Sequence, residues 1–355
     1  MGAERVGIVV VDERGAGSGR AQALGALEPV ANRPIVHHVL DALESAGVTE
    51  MLVVSPAEVT SELRHCLAAR DRRDGAPVGH LEHDGPVDLP GALSLAAAVV
   101  GSAPCIVHLA SGLLGEPIAP FRGRLAVDSP DVTLFVHQGQ GGGEHLSAAT
   151  QEMLHLAELD PQRAALNLAG VLLLGPNALH EITRERWHGG GDVDLTTMAA
   201  LVTAAGGNFE VLAVDAWRRY AGDPLDLLEL NRIALDRIDT KLRRPCSNGN
   251  QIEGRVWIHE RASVRASVIV GPVVIGAGAQ ICDAYIGPYT SIGPGAYIEG
   301  AEIERSIIAS GAHITHVGGR LAASVVGRDA RVFRDFSLPR ALRLRVGEGT
   351  EVALC

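Results

Sequence analysis

Val6-Gly7-Ile8-Val9-Val10-Val11 followed by Asp12-Glu13-Arg14-Gly15-Ala16-Gly17-Ser18-Gly19-Arg20 is an apolar strand that ends in a glycine-rich turn. A helix comes after Glu28-Pro29-Val30-Ala31-Asn32-Arg33-Pro34, and Met51-Leu52-Val53-Val54 is the next buried-type strand. A strand that ends in glycines and feeds a helix is how α/β proteins hold phosphates on backbone N–H groups and a helix dipole. Residues 6–54 therefore predict an α/β domain with a candidate phosphate cradle at the end of its first strand.

Outward from that stretch the alternation continues. Ile35, Val39, Leu40 and Leu43 recur at helical spacing and stop at Gly47. Residues 59–69 and 89–100 read as further helices, and residues 105–109, 132–137, 170–174 and 209–214 as further strands. Strands alternating with helices predict a Rossmann-like, mixed but mostly parallel sheet covered on both faces, whose ligands bind at the carboxyl ends of the strands. This domain is expected over residues 1–238, with a polar linker over 239–250.

Residues 251–355 follow a different period. Ile252, Ile258, Val264, Ile269, Ile275, Ile281, Ile286, Ile292, Ile298, Ile303, Ile308 and Ile314 recur at about every sixth position, with small residues between them. Such hexapeptide repeats predict a left-handed parallel β-helix, triangular in section, in which one aliphatic residue per face points to the axis. Spacings of five, as from Ile281 to Ile286, are expected to be short corners. A β-helix offers stackable flanks, so this domain is expected to assemble a homo-oligomer while the chemistry lies in the first domain.

With 355 residues, 46% of them hydrophobic, the chain can bury two cores. A formal net charge of −11 opposes a nucleic-acid partner, whose phosphates reward a basic surface. No leader and no long uncharged apolar run is apparent, so a cytoplasmic protein without a membrane contact is expected. Cys66, Cys105, Cys246, Cys282 and Cys355 lack the paired spacing of a zinc site or a disulfide framework, and read as small apolar residues. Basic charge is carried by arginine, with Lys241 the single lysine.

Pro29-Val30-Ala31-Asn32-Arg33-Pro34-Ile35-Val36, Leu230-Asn231-Arg232-Ile233-Ala234-Leu235 and the β-helix strings Gln251-Ile252-Glu253-Gly254-Arg255-Val256 and Tyr285-Ile286-Gly287-Pro288-Tyr289-Thr290-Ser291-Ile292-Gly293 carry a resemblance. Across nearly its whole length the chain resembles the sugar-1-phosphate nucleotidyltransferases, specifically the long glucose-1-phosphate thymidylyltransferases. That resemblance implies attack of a sugar phosphate on the α-phosphorus of a nucleoside triphosphate, assisted by Mg²⁺.

The chain departs from that pattern where the chemistry would lie. The family loop Gly-Gly-x-Gly-Thr-Arg, with a Pro-Lys pair before the Pro-Val-Ala-Asn string, is replaced by a turn carrying Asp12 and Glu13 and by Gly25-Ala26-Leu27-Glu28. Two carboxylates there repel a triphosphate. The family's Leu-Gly-Asp-Asn, with a metal aspartate, corresponds to Leu109-Ala110-Ser111-Gly112, and its Trp-x-Asp-x-Gly to Arg218-Arg219-Tyr220-Ala221-Gly222. Asp223 lies close enough for a register shift to restore one ligand. Glu158-Leu159-Asp160-Pro161 stands where a Glu-Lys-Pro strand grips the sugar, without its lysine. Arginine can replace a lysine's charge but not its geometry.

Candidate site residues follow from these positions. Asp12, Glu13, His83 and His108 are candidates for acid–base chemistry in a repurposed pocket. Arg14, Ser111, Glu158, Asp194 and Tyr220 are candidates for binding a small-molecule ligand. Asp194 equally suits a helix N-cap, His37 and His38 suit a surface or packing pair, and the run 138–144 suits a loop. No metal site and no resident cofactor is expected, Mg²⁺ being required only if nucleotidyl transfer is retained. Three readings stay open: a non-catalytic homologue acting by assembly or as regulatory partner of an active nucleotidyltransferase, a repurposed enzyme, and an active thymidylyltransferase with unusual ligands.

Overall fold

The computed structural model describes residues 5–11, 24–70, 75–84, 89–125, 131–138, 144–145, 166–184, 208–238 and 249–336. Its first part runs β1 (Val6–Val10), the hairpin strands β2 (Pro29–Val30) and β3 (Arg33–Pro34), α1 (Ile35–Ser45), β4 (Glu50–Pro56), α2 (Thr60–Ala68), β5 (Val78–His83), α3 (Leu89–Val100), β6 (Cys105–Leu109) and β7 (Gly112–Leu114). There follow β8 (Val132–Gln138), β9 (Glu144–His145), β10 (Leu166–Leu174), α4 (Ala178–Arg184), β11 (Phe209–Ala213), β12 (Trp217–Arg219) and α5 (Pro224–Asp236).

Eight of these strands form one sheet in the order β11-β8-β10-β6-β1-β4-β5, with β9 paired to β10. β1 pairs in parallel with both β4 and β6, and only β10 runs against its neighbours, so the sheet is mixed and mostly parallel as the alternation predicts. Every residue of β1 is buried, which suits a central strand with both faces covered. The chain leaves β1 toward β4 on one side and β6 on the other, so β1 is the switch point at which such sheets bind ligands.

The first helix begins at Ile35, directly after the Glu28–Pro34 string, as the sequence predicts. A short 3-10 turn (Gly25–Leu27) and the β2–β3 hairpin lead into it. The first helical N–H group, on Ile35, donates to Glu28 O at 3.0 Å, and no side chain caps α1. Ile35, Val36, Val39, Leu40 and Leu43 of α1 are fully buried against the sheet.

The hexads build three five-stranded parallel sheets. They begin at β13 (Gln251–Glu253), β14 (Val256–Ile258) and β15 (Ser263–Arg265), and end at β25 (Arg320–Ala322), β26 (Val325–Val326) and β27 (Arg331–Phe333). Ile252, Ile269, Ile286, Ile303 and Leu321 stack in one column. Ile258, Ile275, Ile292, Ile308 and Val326 form the second, and Val264, Ile281, Ile298, Ile314 and Val332 the third. This is the left-handed parallel β-helix the repeats predict. Its axis is lined by a separate apolar cluster.

The β-helix face that carries the β14 column is docked on the first part of the chain. Val274 and Ile307 point outward from it and belong to the same apolar cluster as the large sheet, with Trp257 and Tyr289 packed beside them. Asp236, at the end of α5, accepts hydrogen bonds from Arg255 and from Tyr289 Oη at 3.3 Å, fixing the helix to the first coils. Among the described residues no helix is long and apolar enough to cross a membrane, and Cys66, Cys105 and Cys282 are free thiols.

Candidate functional site

At the C-terminal end of β6 the chain passes Ala110, whose N–H donates to Val10 O at 2.8 Å, and reaches Ser111 before turning into β7. β7 pairs antiparallel with β12, Gly112 opposite Arg219, and Tyr220 N donates to Ser111 O at 2.9 Å, so Ser111 and Tyr220 are cross-strand neighbours. Arg219 Nε donates to Ser111 Oγ at 3.2 Å. Trp217, 3% exposed, seats this small ribbon on the sheet. A Cβ on Gly112 would stand 2.4 Å from its ring and one on Gly170 2.6 Å, so both glycines are required by that close approach.

The Tyr220 ring lies against Gly25, where an added Cβ would come within 2.8 Å of its Cδ1. Burial raises the Tyr220 phenol above its ordinary range, and the negative charges of Glu28, Asp226 and Asp223 raise it further. Burial also raises the Glu28 carboxyl, against a lowering by Arg328 of the β-helix. Asp223 Oδ1 caps α5 by accepting Leu225 N at 2.9 Å. Asp226 Oδ2 accepts Ala221 N at 3.0 Å, and its Oδ1 lies 3.5 Å from Arg218. Burial raises the Asp226 carboxyl as well. Both aspartates thus hold the turn between β12 and α5.

The two candidate histidines do not meet. His83 ends β5 at the sheet edge, and β4 and β1 lie between it and β6, a separation of about 14 Å at the usual strand spacing. His108 sits inside β6 with 1% of its surface exposed, its Nδ1 donating to Leu109 O at 2.7 Å and its ring 5.6 Å from that of Trp217. Burial pushes its pKa down to about 4, so the imidazole is a neutral core group rather than a base facing a ligand. The expectation that His83 and His108 share a pocket is therefore corrected: strand order separates them, and the alternation of β6 turns His108 into the core. His37 and His38 pack against different segments, donating to Cys66 O and Val30 O respectively. Asp12, Glu13, Arg14, Glu158, Asp194 and Lys241 lie outside the described residues. Ser111 and Tyr220 are the candidates the fold brings together. Sequence reasoning passed over Gly25, Glu28 and Asp226 as site-forming residues, although Asp226 follows Tyr220 by six residues and lies in the first turn of α5.

The glucose-1-phosphate thymidylyltransferase of Streptomyces griseus is 28% identical to the chain over 333 residues, 91% of each chain. The enzyme of that name from Streptomyces antibioticus is 28% identical over 341 residues, covering 92% of this chain and 93% of its own. The low-salt glycan biosynthesis nucleotidyltransferase Agl11 of Haloferax volcanii is 27% identical over 336 residues. Over about nine-tenths of its length the chain is thus similar to sugar-1-phosphate nucleotidyltransferases. No family model matches it. A Bacillus anthracis structure in complex with sucrose, provisionally named a glucose-1-phosphate thymidylyltransferase, shares the fold at a TM-score of 0.53. Its identity is 15%, and the match covers 67% of this chain and 98% of that one.

The two positions at which the resemblance puts metal aspartates, Ser111 and Tyr220, are adjacent in space, joined by the backbone hydrogen bond from Tyr220 N to Ser111 O. The side chains that stand there are a hydroxyl and a phenol, a donor set ill-suited to Mg²⁺, which takes carboxylate and phosphate oxygens. Among the described residues no group of three or more His, Cys, Asp or Glu side chains could hold a metal ion. Among the described residues, the Ser111–Tyr220 pair is therefore not a donor set that suits Mg²⁺.

Proposed function

We propose that this nucleotidyltransferase-family chain keeps the scaffold of sugar-nucleotide synthesis without running it, and acts by assembly through its β-helix. The assembly is a homo-oligomer or a complex in which the chain regulates an active nucleotidyltransferase. The observation that carries the reading is the Ser111–Tyr220 pair: the two positions at which the resemblance puts metal aspartates are neighbours, and neither bears a carboxylate. The surroundings support it, because Glu28, Asp223 and Asp226 place negative charge about Tyr220, where a triphosphate and its metal would need positive charge. Asp223 and Asp226 are engaged in capping and turn contacts, which opposes either acting as a replacement ligand. The burial of His108 and its distance from His83 oppose repurposed acid–base chemistry built on those two groups.

The test is pyrophosphate release from dTTP, glucose 1-phosphate and Mg²⁺, repeated with the other nucleoside triphosphates. No turnover is expected, and steady release would overturn the reading. Light scattering of the full chain tests assembly: a strict monomer that also fails to bind an active relative would remove that part of the proposal.

A further inference from the structure

The turn of the β2–β3 hairpin places two successive residues in left-handed conformation, Ala31 at φ 46° and Asn32 at φ 63°. This two-residue turn favours glycine or asparagine, and Ala31 holds it with a Cβ, a strained arrangement that persists only when its surroundings impose it. Those surroundings come from two different parts of the molecule. Ala31 N donates to Asn231 Oδ1 of α5 at 2.8 Å, and Asn32 Nδ2 donates to Ile292 O of the β-helix at 2.7 Å.

Asn231 joins the same three segments. It is fully buried, its Oδ1 also accepts from Ser291 Oγ at 2.5 Å, and its Nδ2 donates to Tyr289 O at 3.1 Å. Tyr289 is itself held at φ 60°. The Ala31 N–H can only donate, which fixes the orientation of the Asn231 amide and leaves no alternative partner set. A single amide thus ties the hairpin, the helix and the β-helix together.

The hairpin and the helix are also the two walls of the strand-end site. Residues 25–28 lead directly into the hairpin and carry Gly25 and Glu28, while Tyr220, Asp223 and Asp226 lead into or open α5. Each wall is anchored to the other through the Tyr220–Gly25 contact at one end and through Asn231 at the other. We infer that the Asn231 junction couples the β-helix to the strand-end site, so that the seating of the β-helix sets the Tyr220–Gly25 contact and a partner bound on the β-helix acts on that site. The inference is independent of whether the site turns over a nucleotide. Arg328 of the β-helix, bearing on Glu28 at the site, acts in the same direction.

Amide hydrogen exchange on the full-length chain tests the coupling from both sides. Ser291→Ala removes one bond on the β-helix side without touching the site. It is expected to speed exchange of the Ala31, Glu28 and Tyr220 amides by about tenfold or more, with β1 and β4 unchanged. Gly25→Ala pushes the Tyr220 ring from the opposite end, and reciprocity requires faster exchange at Tyr289 and Gly293 of the β-helix. Asn231→Ala is expected to produce both changes at once; if it does not fold, the two single-sided variants decide alone. Faster exchange confined in each case to the substituted side would overturn the inference. Pyrophosphate release would overturn the functional proposal and leave this result standing.

Discussion

Burying His108 costs the folded protein the ability to protonate it. Its folded pKa is near 4, whereas an unfolded histidine titrates near 6.5. Between those values the unfolded state binds more protons, so stability is complete above pH ~6.5 and is lost as the pH falls toward 4. One such group imposes a slope of at most about 1.4 kcal/mol per pH unit. His108→Gln is expected to flatten the melting temperature between pH 6.5 and 4 relative to the parent chain, and an unchanged slope would refute the assignment. Asp41 acts in a lower window. Burial alone would raise it, but Arg33 and Arg70 together hold it below the ordinary carboxylate range, so the stability it contributes is lost as it protonates in stronger acid. Packing makes a parallel prediction: Gly112→Ala would drive a methyl group into Trp217 and is expected to cost about 1–3 kcal/mol or more in denaturant unfolding.

Among the elements, the β-helix depends on its inward columns and the hairpin on its turn. Ile275, Ile292 and Ile308 are fully buried one above another. Ile292→Ala is expected to lose about 2–5 kcal/mol, because the neighbouring coils are pinned by their own ladders and close the cavity poorly. Ala31→Gly is expected to run against the usual direction for an alanine-to-glycine change. It relieves a left-handed Cβ worth about 1–2 kcal/mol against an unfolded-state cost of about 0.4–1 kcal/mol, so chemical denaturation should show equal or higher stability. Asp223→Ala removes the α5 cap and should cost about 1 kcal/mol.

For the whole molecule, the seam between sheet and β-helix decides whether the chain unfolds as one body. Val274 and Ile307 reach from the β-helix into the core of the first domain, while the β-helix axis keeps an apolar cluster of its own. Ile307→Asp buries a charge at that seam. Calorimetry is expected to resolve two transitions in this variant, the β-helix melting separately from the sheet; one transition at lower temperature for both would show that neither part stands without the other. The net charge of −11 together with the carboxylates about Tyr220 makes salt a further lever. Screening should raise stability modestly if self-repulsion at the strand ends contributes.

The sequence by itself determined the architecture, because that architecture is written in local periods. The hexads from Ile252 to Ile314 specify which residues point to the axis, and alternating apolar strands and helices specify a covered, mostly parallel sheet. It also determined that residues 111 and 220 carry no carboxylate. Only the tertiary structure decided that Ser111 and Tyr220 stand side by side, that β1 and β4 keep His83 from His108, and that the string from Pro29 to Pro34 is a strained hairpin clasped by Asn231 and the β-helix. A period fixes the face on which a side chain lies. Strand order, register and the docking of one domain on another fix what it meets there, and those are properties of contacts far apart in the chain.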